Sequence, residues 1–175
     1  MKRKSSAGAR RVKRKSGAGA RRAKRKSGAV RSSRPARAAA AEVRSPAAPL
    51  PVGPYSQAVA AGGLLFLSGQ IPLDPHTQKL VAGEIEEQTV RVIENLAAVL
   101  AAGGSSLARV VRTTVYLSDL ALFTRMNAVY ARYFEQVPQP ARATIQAAAL
   151  PLGAQIEIDA IALGPRARAA QRKPR

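Results

Sequence analysis

The chain has 175 residues and a formal net charge of +19, from 29 basic and 10 acidic side chains. It contains no cysteine, which excludes disulfides, thiol nucleophiles and thiolate metal sites. No apolar stretch approaches the roughly 18 residues of a membrane span, and the basic N-terminus lacks the apolar segment of a secretory signal. We therefore expect a soluble, cytoplasmic protein, although the Arg/Ser/Ala-rich start would also suit an organelle transit peptide.

The positive charge is concentrated at the two ends. Residues 1–44 hold 17 Lys and Arg against one acid, and residues 164–175 hold five basic residues and no acid. The segment between them, residues 45–163, keeps seven basic and nine acidic residues, a net charge of −2. It has the size of one domain with one core. The charge therefore predicts a mildly acidic domain with basic appendages, and not an evenly basic nucleic-acid binder.

The N-terminal segment is an imperfect repeat with an 11-residue period, whose units open at Lys2, Lys13 and Lys24. Because it has almost no large apolar side chains and its like charges repel, we predict that residues 1–44 are disordered, as are residues 164–175. Such an arm could neutralise phosphates and contact nucleic acid without sequence preference. A solvated extension without a selected role explains the composition equally well.

The domain begins with a predicted hairpin. Residues 56–60 and 64–67 are β-compatible runs on either side of Gly62-Gly63. The second run ends at Ser68-Gly69, where backbone can approach a ligand closely. The only histidine, His76, lies in a turn composition, which cannot hold the imidazole of a Ser-His-acid triad. We predict no metal site.

The first helix is predicted over residues 85–102 and is stopped by Gly103-Gly104. Its first turn carries favourably placed acids, and Glu87, Arg91 and Glu94 on the polar face predict a solvated ion-pair row. Apolar residues recur with helical spacing. This stripe comprises Ile85, Val92, Ile93, Leu96, Val99 and Leu100.

A strand over residues 110–117 and a second helix follow. The strand is rich in Val, Thr and Tyr. Asp119 is a plausible cap for the helix, which should end before Pro138. Its apolar stripe comprises Leu122, Met126, Val129 and Tyr133.

Two closing strands are predicted at residues 143–149 and 155–163. The element order, ββαβαββ, is that of an α+β layer protein. Alternation puts Arg142, Thr144 and Gln146 on one face of the first strand, aimed at a cleft or solvent. The small apolar set on its other face is expected in the core and comprises Ala143, Ile145 and Ala147.

The last strand alternates buried apolar residues with two acids. Glu157 and Asp159 share one face, about 7 Å apart. This pattern is usually an exposed strand face. Likewise, Arg142 suits bidentate recognition of a carboxylate, while a surface arginine at a strand start is the plainer interpretation.

Three motifs together resemble the Rid (YjgF) family: the run 53–58 (GPYSQA), the run 68–72 (SGQIP) and the run 140–144 (PARAT) around Arg142. The resemblance extends from about Ala48 to Leu163. It implies an α+β, chorismate-mutase-like fold with one β-sheet and two helices packed on one face. It also implies a homotrimer whose sites lie at the interfaces between subunits.

The resemblance also implies roles for particular residues. It suggests Arg142 as the carboxylate clamp and Glu157 as the water-positioning or general-base group, which a nearby arginine should keep ionised. Tyr55 and Ser68 would add pocket hydroxyls. The other implied substrate-binding positions are Gly69, Asn127 and Thr144, the last of which is cysteine in some members. Asp159 receives no catalytic role.

The activity implied is hydrolysis of 2-aminoacrylate and 2-aminocrotonate, with their imine tautomers, to 2-keto acids and ammonia. No cofactor is expected. Two alternatives stay open: an RNA-associated protein of the ribonuclease or translation-inhibitor type, and a non-catalytic small-ligand module. The acidic domain, which has no aromatic RNA-binding motif, argues against the first. The acid accompanying the arginine argues against the second.

Overall fold

The computed structural model describes residues 40–165, so the predictions for most of residues 1–44 and for residues 166–175 lie outside the described residues. This part of the chain contains two α-helices, α1 (Ile85–Ala102) and α2 (Phe123–Tyr133). Its strands are β1 (Ala41–Val43), β2 (Ala58–Ala61), β3 (Leu64–Gln70), β4 (Val110–Leu117), β5 (Ala141–Gln146) and β6 (Ile156–Leu163).

The strands form one sheet in the order β1-β2-β3-β6-β4-β5. Neighbouring strands are antiparallel, except that β4 and β5 are parallel and are connected through α2. Helix α1 packs on β3, β6 and α2. The predicted α+β fold, with one sheet and two helices, is confirmed. Within the described residues, neither helix is long and apolar enough to cross a membrane.

Helix α1 has the predicted boundaries, and all six residues of its apolar stripe are fully buried. The predicted ion-pair row is only partly correct. Arg91 and Glu94 form an ion pair at 3.1 Å. Glu87 instead accepts a hydrogen bond of 3.0 Å from the backbone N–H of Glu84, and so caps the start of the helix.

Helix α2 begins later than Asp119, because a short 3-10 turn, Leu120–Leu122, comes first. The Asp119 carboxylate caps that turn by accepting a hydrogen bond of 2.8 Å from the N–H of Ala121. Met126 and Val129 are buried as predicted, but Tyr130, which was outside the predicted stripe, is buried too. The helix therefore turns an additional aromatic ring toward the sheet.

The prediction that residues 1–44 are disordered is wrong for the last few residues of that range. Residues 41–43 form β1, which pairs antiparallel with β2 in the register Ala41↔Ala60 and Val43↔Ala58. Composition indicated disorder because the segment has few apolar side chains. Strand pairing uses backbone groups, however, and it needs little from the side chains when a sheet edge is already present.

The predicted facing of β5 is also wrong. Arg142 and Thr144 stand opposite Thr113 and Val115 of β4, both fully buried on the helix-covered side. The apolar set that was expected in the core lies on the other face, where Ile145 is 47% exposed. Because β5 is an edge strand, no further element among residues 40–165 covers its apolar side chains.

The β2–β3 hairpin turns at Gly62 and Gly63, both in the left-handed region with φ of 59° and 81°. After β3 the chain builds a small second core of Ile71, Leu73 and Ala154, apart from the main core between sheet and helices. Asn95 of α1 anchors this segment by donating to the carbonyls of Ile71 and Leu73. These contacts set the floor of the pocket described next.

Candidate active site

A pocket of about 350 Å³ opens beside the end of β3. Its outer wall is the segment 49–52, and its inner wall is the run 68–71. It also brings together four of the predicted site residues: Tyr55, Ser68, Gly69 and Glu157. The remaining lining residues are Gln57, Leu73 and Pro151.

The Glu157 carboxylate lies directly against Gly69. A Cβ added at Gly69 would stand 2.7 Å from the carboxyl carbon of Glu157, well inside van der Waals contact. A side chain at position 69 would therefore displace the Glu157 carboxylate from this place. The sequence predicted a close approach at this glycine, but to a ligand, whereas the group that approaches is the acid of the site itself.

Glu157 is partly buried, and its pKa is raised above the ordinary range. Burial, which disfavours the charged form, is the main cause, and the nearby charge of Asp159 is the second. The sequence-based expectation was the opposite, that an arginine would favour the charged form. A carboxyl whose pKa lies closer to neutrality is a better proton acceptor from water.

The two hydroxyls of the pocket are held in different ways. Ser68 Oγ donates a hydrogen bond of 2.7 Å to the Ser56 carbonyl, so its lone pairs are left to accept. Tyr55 Oη accepts a hydrogen bond of 3.2 Å from the N–H of Val52, so its proton is left to donate. The pocket therefore offers one acceptor and one donor beside the Glu157 carboxylate.

Gln57 organises the pocket wall, a role that the sequence reading missed. It is 2% exposed; its Oε1 accepts from the N–H of Ser45 at 2.6 Å, and its Nε2 donates to the carbonyls of Ser45 and Pro49 at 3.1 and 2.7 Å. These bonds fasten the segment before the wall to β2. The available signal was an amide inside the predicted strand of residues 56–60, at a position where an apolar residue could stand.

Arg142 lies elsewhere. Cross-strand partners share a face of a sheet, and Arg142 is opposite the buried Thr113. Glu157 is opposite Tyr116, one residue further along β4 than Val115, and so lies on the helix-free face. Arg142 and Glu157 therefore point to opposite sides of the sheet in this chain.

The guanidinium of Arg142 lies over two rings of α2, 4.6 Å from the ring centroid of Tyr130 and 5.7 Å from that of Phe123. Asn127 is four residues after Phe123, so it occupies the same helix face between the two rings. Thr144 shares the face of Arg142, and its hydroxyl oxygen is buried without a hydrogen-bond partner among the described residues. The predicted site residues thus fall into two half-sites.

We call these groups the pocket half-site (Tyr55, Ser68, Gly69, Glu157) and the arginine half-site (Asn127, Arg142, Thr144). Asp159 belongs to neither: its Oδ2 accepts a hydrogen bond of 3.0 Å from the hydroxyl of Tyr116. Among residues 40–165, no cluster of three or more His, Cys, Asp or Glu is arranged to hold a metal ion.

The sequence and the fold of this chain match those of known proteins. The family model described as Endoribonuclease L-PSP matches residues 45–164. Protein DfrA of Myxococcus xanthus is 55% identical over 129 residues, which are 73% of this chain and 98% of DfrA. The chloroplastic Reactive Intermediate Deaminase A of Arabidopsis thaliana is 50% identical over 115 residues, covering 66% of this chain and 61% of that protein.

Among solved structures, Escherichia coli TdcF with bound serine superposes with a TM-score of 0.67 at 36% identity, covering 70% of this chain and 98% of TdcF. The fold and the pocket define a small α+β protein with a one-sheet, two-helix architecture. The chain belongs to the Rid (YjgF) family, whose members include reactive intermediate deaminases. The resemblance seen in the sequence motifs is confirmed.

Proposed function

We propose that this protein hydrolyses 2-aminoacrylate and 2-aminocrotonate, as their imine tautomers, to 2-keto acids and ammonia. The observation that carries the proposal is the Glu157 carboxylate. It lies against Gly69 in the pocket, and its pKa is raised. An acid in this state suits the task of taking a proton from water. The Arabidopsis relative, a reactive intermediate deaminase by name, supports the same reaction class.

In the proposed reaction, Arg142 holds the substrate carboxylate through two parallel N–H donors. Glu157 orients a water molecule and accepts its proton as the water oxygen bonds to the imine carbon. That proton passes from Glu157 to the imine nitrogen, which completes the carbinolamine. Glu157 then transfers the proton of the carbinolamine hydroxyl to the amino group, so the C–N bond breaks, ammonia leaves and the C=O of the keto acid forms. Tyr55 donates a hydrogen bond and Ser68 accepts one. The sequence of steps uses no metal ion and no organic cofactor.

We further propose that the protein is a homotrimer, and that Arg142 of the partner subunit completes each pocket. Two features support this. The half-sites lie on opposite faces of the sheet, so one chain cannot direct both at a small substrate. The helix-free face also exposes Phe66 by 43% and Ile145 by 47%, apolar area that association would cover. Light scattering decides the oligomeric state, and an active monomer would contradict this arrangement.

The direct test is release of ammonia and pyruvate from 2-aminoacrylate, generated in the cuvette by a serine dehydratase. We expect the protein to accelerate hydrolysis well beyond the spontaneous rate at catalytic concentrations. Binding of 2-oxobutanoate without any acceleration would favour the non-catalytic ligand module. Cleavage of RNA is disfavoured, because residues 45–163 carry a net charge of −2 and would repel a phosphate backbone.

The basic arm is assigned a separate role. We propose that the residues before β1 bind nucleic acid weakly, without sequence preference and with steep salt dependence. Deletion of residues 1–39 should leave deamination unchanged and remove this binding in a salt titration. Deletion of residues 1–44 also removes β1 and should lower thermal stability, which makes the shorter deletion the proper test. Cytoplasmic localisation stays a prediction from the sequence.

A further inference from the structure

We infer that the rings of Tyr130 and Phe123 position the Arg142 guanidinium for carboxylate binding, an inference that rests on the proposed function. The guanidinium carbon lies 4.6 Å from the Tyr130 centroid and 5.7 Å from the Phe123 centroid. Both distances are within the range in which a ring face attracts a cation. Since the two rings stand seven residues apart on α2, they present two successive contacts along one helix face.

The ring of Tyr130 is fixed in place by two contacts and by burial. Its hydroxyl shares a hydrogen bond of 2.8 Å with Thr113 Oγ1, which is fully buried on β4. Its other face stacks on Phe134, with centroids 4.2 Å apart and planes inclined by 22°. Tyr130 itself is only 6% exposed. Because this ring has so little freedom, the Arg142 guanidinium above it has a defined position.

Aromatic faces hold an arginine in a way that suits its proposed task. The ion pairs formed among residues 40–165 do not include Arg142. An acidic neighbour would occupy the same N–H fork that has to receive the substrate carboxylate. A ring face instead attracts the cation through its π-electrons and consumes none of its N–H donors. The guanidinium is thereby oriented with its donors available.

Arg125, on the same helix, shows the alternative. Its Nε and Nη2 donate to the two carboxylate oxygens of Glu86 at 2.7 Å each, so its fork is already occupied. Two arginines near α2 thus have different surroundings. Arg125 ties α2 to the start of α1, whereas Arg142 is supported through its flat face. Phe123 and Tyr130 are therefore positioning residues that act through Arg142 and not on the substrate.

The test compares single substitutions in α2, each made in the full-length protein. Tyr130→Leu removes the ring, Tyr130→Phe keeps the ring and loses the hydroxyl, and Phe123→Leu removes the second ring. Tyr133→Leu is the matched control, an aromatic of the same helix that packs on the core and not under Arg142. The readouts are KM and kcat on 2-aminoacrylate, and the Kd of 2-oxobutanoate by calorimetry.

We expect Tyr130→Leu to raise KM and Kd about tenfold and Phe123→Leu about threefold, with smaller changes in kcat. Tyr130→Phe should stay within about twofold in KM while losing thermal stability, because the ring face is kept and the buried bond to Thr113 is lost. Tyr133→Leu should also stay within about twofold. If the rings served only to pack the core, binding would follow stability, and Tyr130→Phe would not lose stability while keeping substrate binding.

Two results would overturn the inference: Tyr130→Phe weakening binding as much as Tyr130→Leu, or Phe123→Leu matching Tyr133→Leu. Phe123 is 36% exposed, so its variant decides the question even if Tyr130→Leu does not fold. If the wild type binds 2-oxobutanoate but releases no ammonia, the proposed function fails and the Kd series still tests the rings. If Arg142→Ala leaves that Kd unchanged, the positioning role fails as well.

Discussion

The two half-sites are built on different principles. The pocket half-site is assembled from the segment before β2, from β3 and from β6, and it is held by the packing of Glu157 on Gly69 and by the hydrogen bond of Ser68. The arginine half-site stands on an edge strand, where Arg142 is exposed and rests on aromatic faces. An acid that has to change its protonation state benefits from burial, and a cation that has to receive a ligand benefits from free donors. The contrast therefore matches the roles proposed for Glu157 and Arg142.

The largest effect should come from the arginine half-site. Arg142→Ala should lower kcat/KM by at least about a hundredfold, because the substrate loses its orienting carboxylate contact. Arg142→Lys should rescue little, since an ammonium lacks the planar fork. Steady-state pyruvate release measures this, with Arg132→Ala, an exposed arginine on α2, as the control. Near-wild-type turnover by a folded, trimeric Arg142→Ala variant would sink the mechanism.

The pocket half-site should fail differently. Glu157→Gln should lower kcat about a hundredfold while 2-oxobutanoate still binds, because the amide cannot accept the proton of water. Refolding Arg142→Ala and Glu157→Gln chains together should restore activity, since in randomly mixed trimers about a quarter of the interfaces receive both intact residues. If mixing restores nothing although the chains co-assemble, the two half-sites do not meet across an interface.

A smaller effect is expected where the pocket is tightest. Gly69→Ala should lower kcat about tenfold, because its Cβ displaces the Glu157 carboxylate. Combining Gly69→Ala with Glu157→Gln should add little to the loss of Glu157→Gln alone, since both changes act through one carboxylate. Fully additive losses would show that Gly69 serves the pocket by another route. Circular dichroism and sizing confirm the fold of each variant.

The smallest effect concerns pH. In the proposed reaction Glu157 acts in its charged form, so activity should fall as pH drops through the pKa of Glu157. Asp159→Asn should lower the pKa of Glu157, because one of the two causes that raise it is removed. The acidic limb of kcat/KM should then move to lower pH. Tyr116→Phe removes the hydrogen bond to Asp159 but leaves the charge of Asp159 in place, so it should not produce this shift. If the acidic limb of kcat/KM moves to higher pH in Asp159→Asn, the charge of Asp159 is not a cause of the raised pKa of Glu157.

Much of the fold could be predicted from the sequence, because its helices carry long periodic signals. The six-residue stripe of α1 is buried throughout, and β4 has the predicted bounds. The errors fall on β1 and β5, the two edges of the sheet. An edge strand pairs with only one neighbouring strand, and the composition of the strand itself does not show which strand that is.

The sequence named the candidate site residues but could not show how they are arranged. Motifs pointed to Arg142 and Glu157, and alternation correctly grouped Arg142 with Thr144 on one face of β5, although it assigned that face to the wrong side of the sheet. Which face is covered by helices depends on the order β6-β4-β5 and on register, which only the folded sheet supplies. The contacts of Gln57 and Tyr130 were missed for a related reason, since each bonds to residues at least 12 positions away or to another element.

The parallel pairing of β4 with β5 has a consequence for how such genes diversify. One continuous stretch, residues 110–146, contains β4, α2 and β5, and with them Arg142, both rings beneath it and the threonine that fixes one of them. Recombination between relatives could exchange this stretch as an intact block. The pocket half-site, divided between β3 and β6, would be separated by most crossovers, so the two halves of the site should drift at unequal rates.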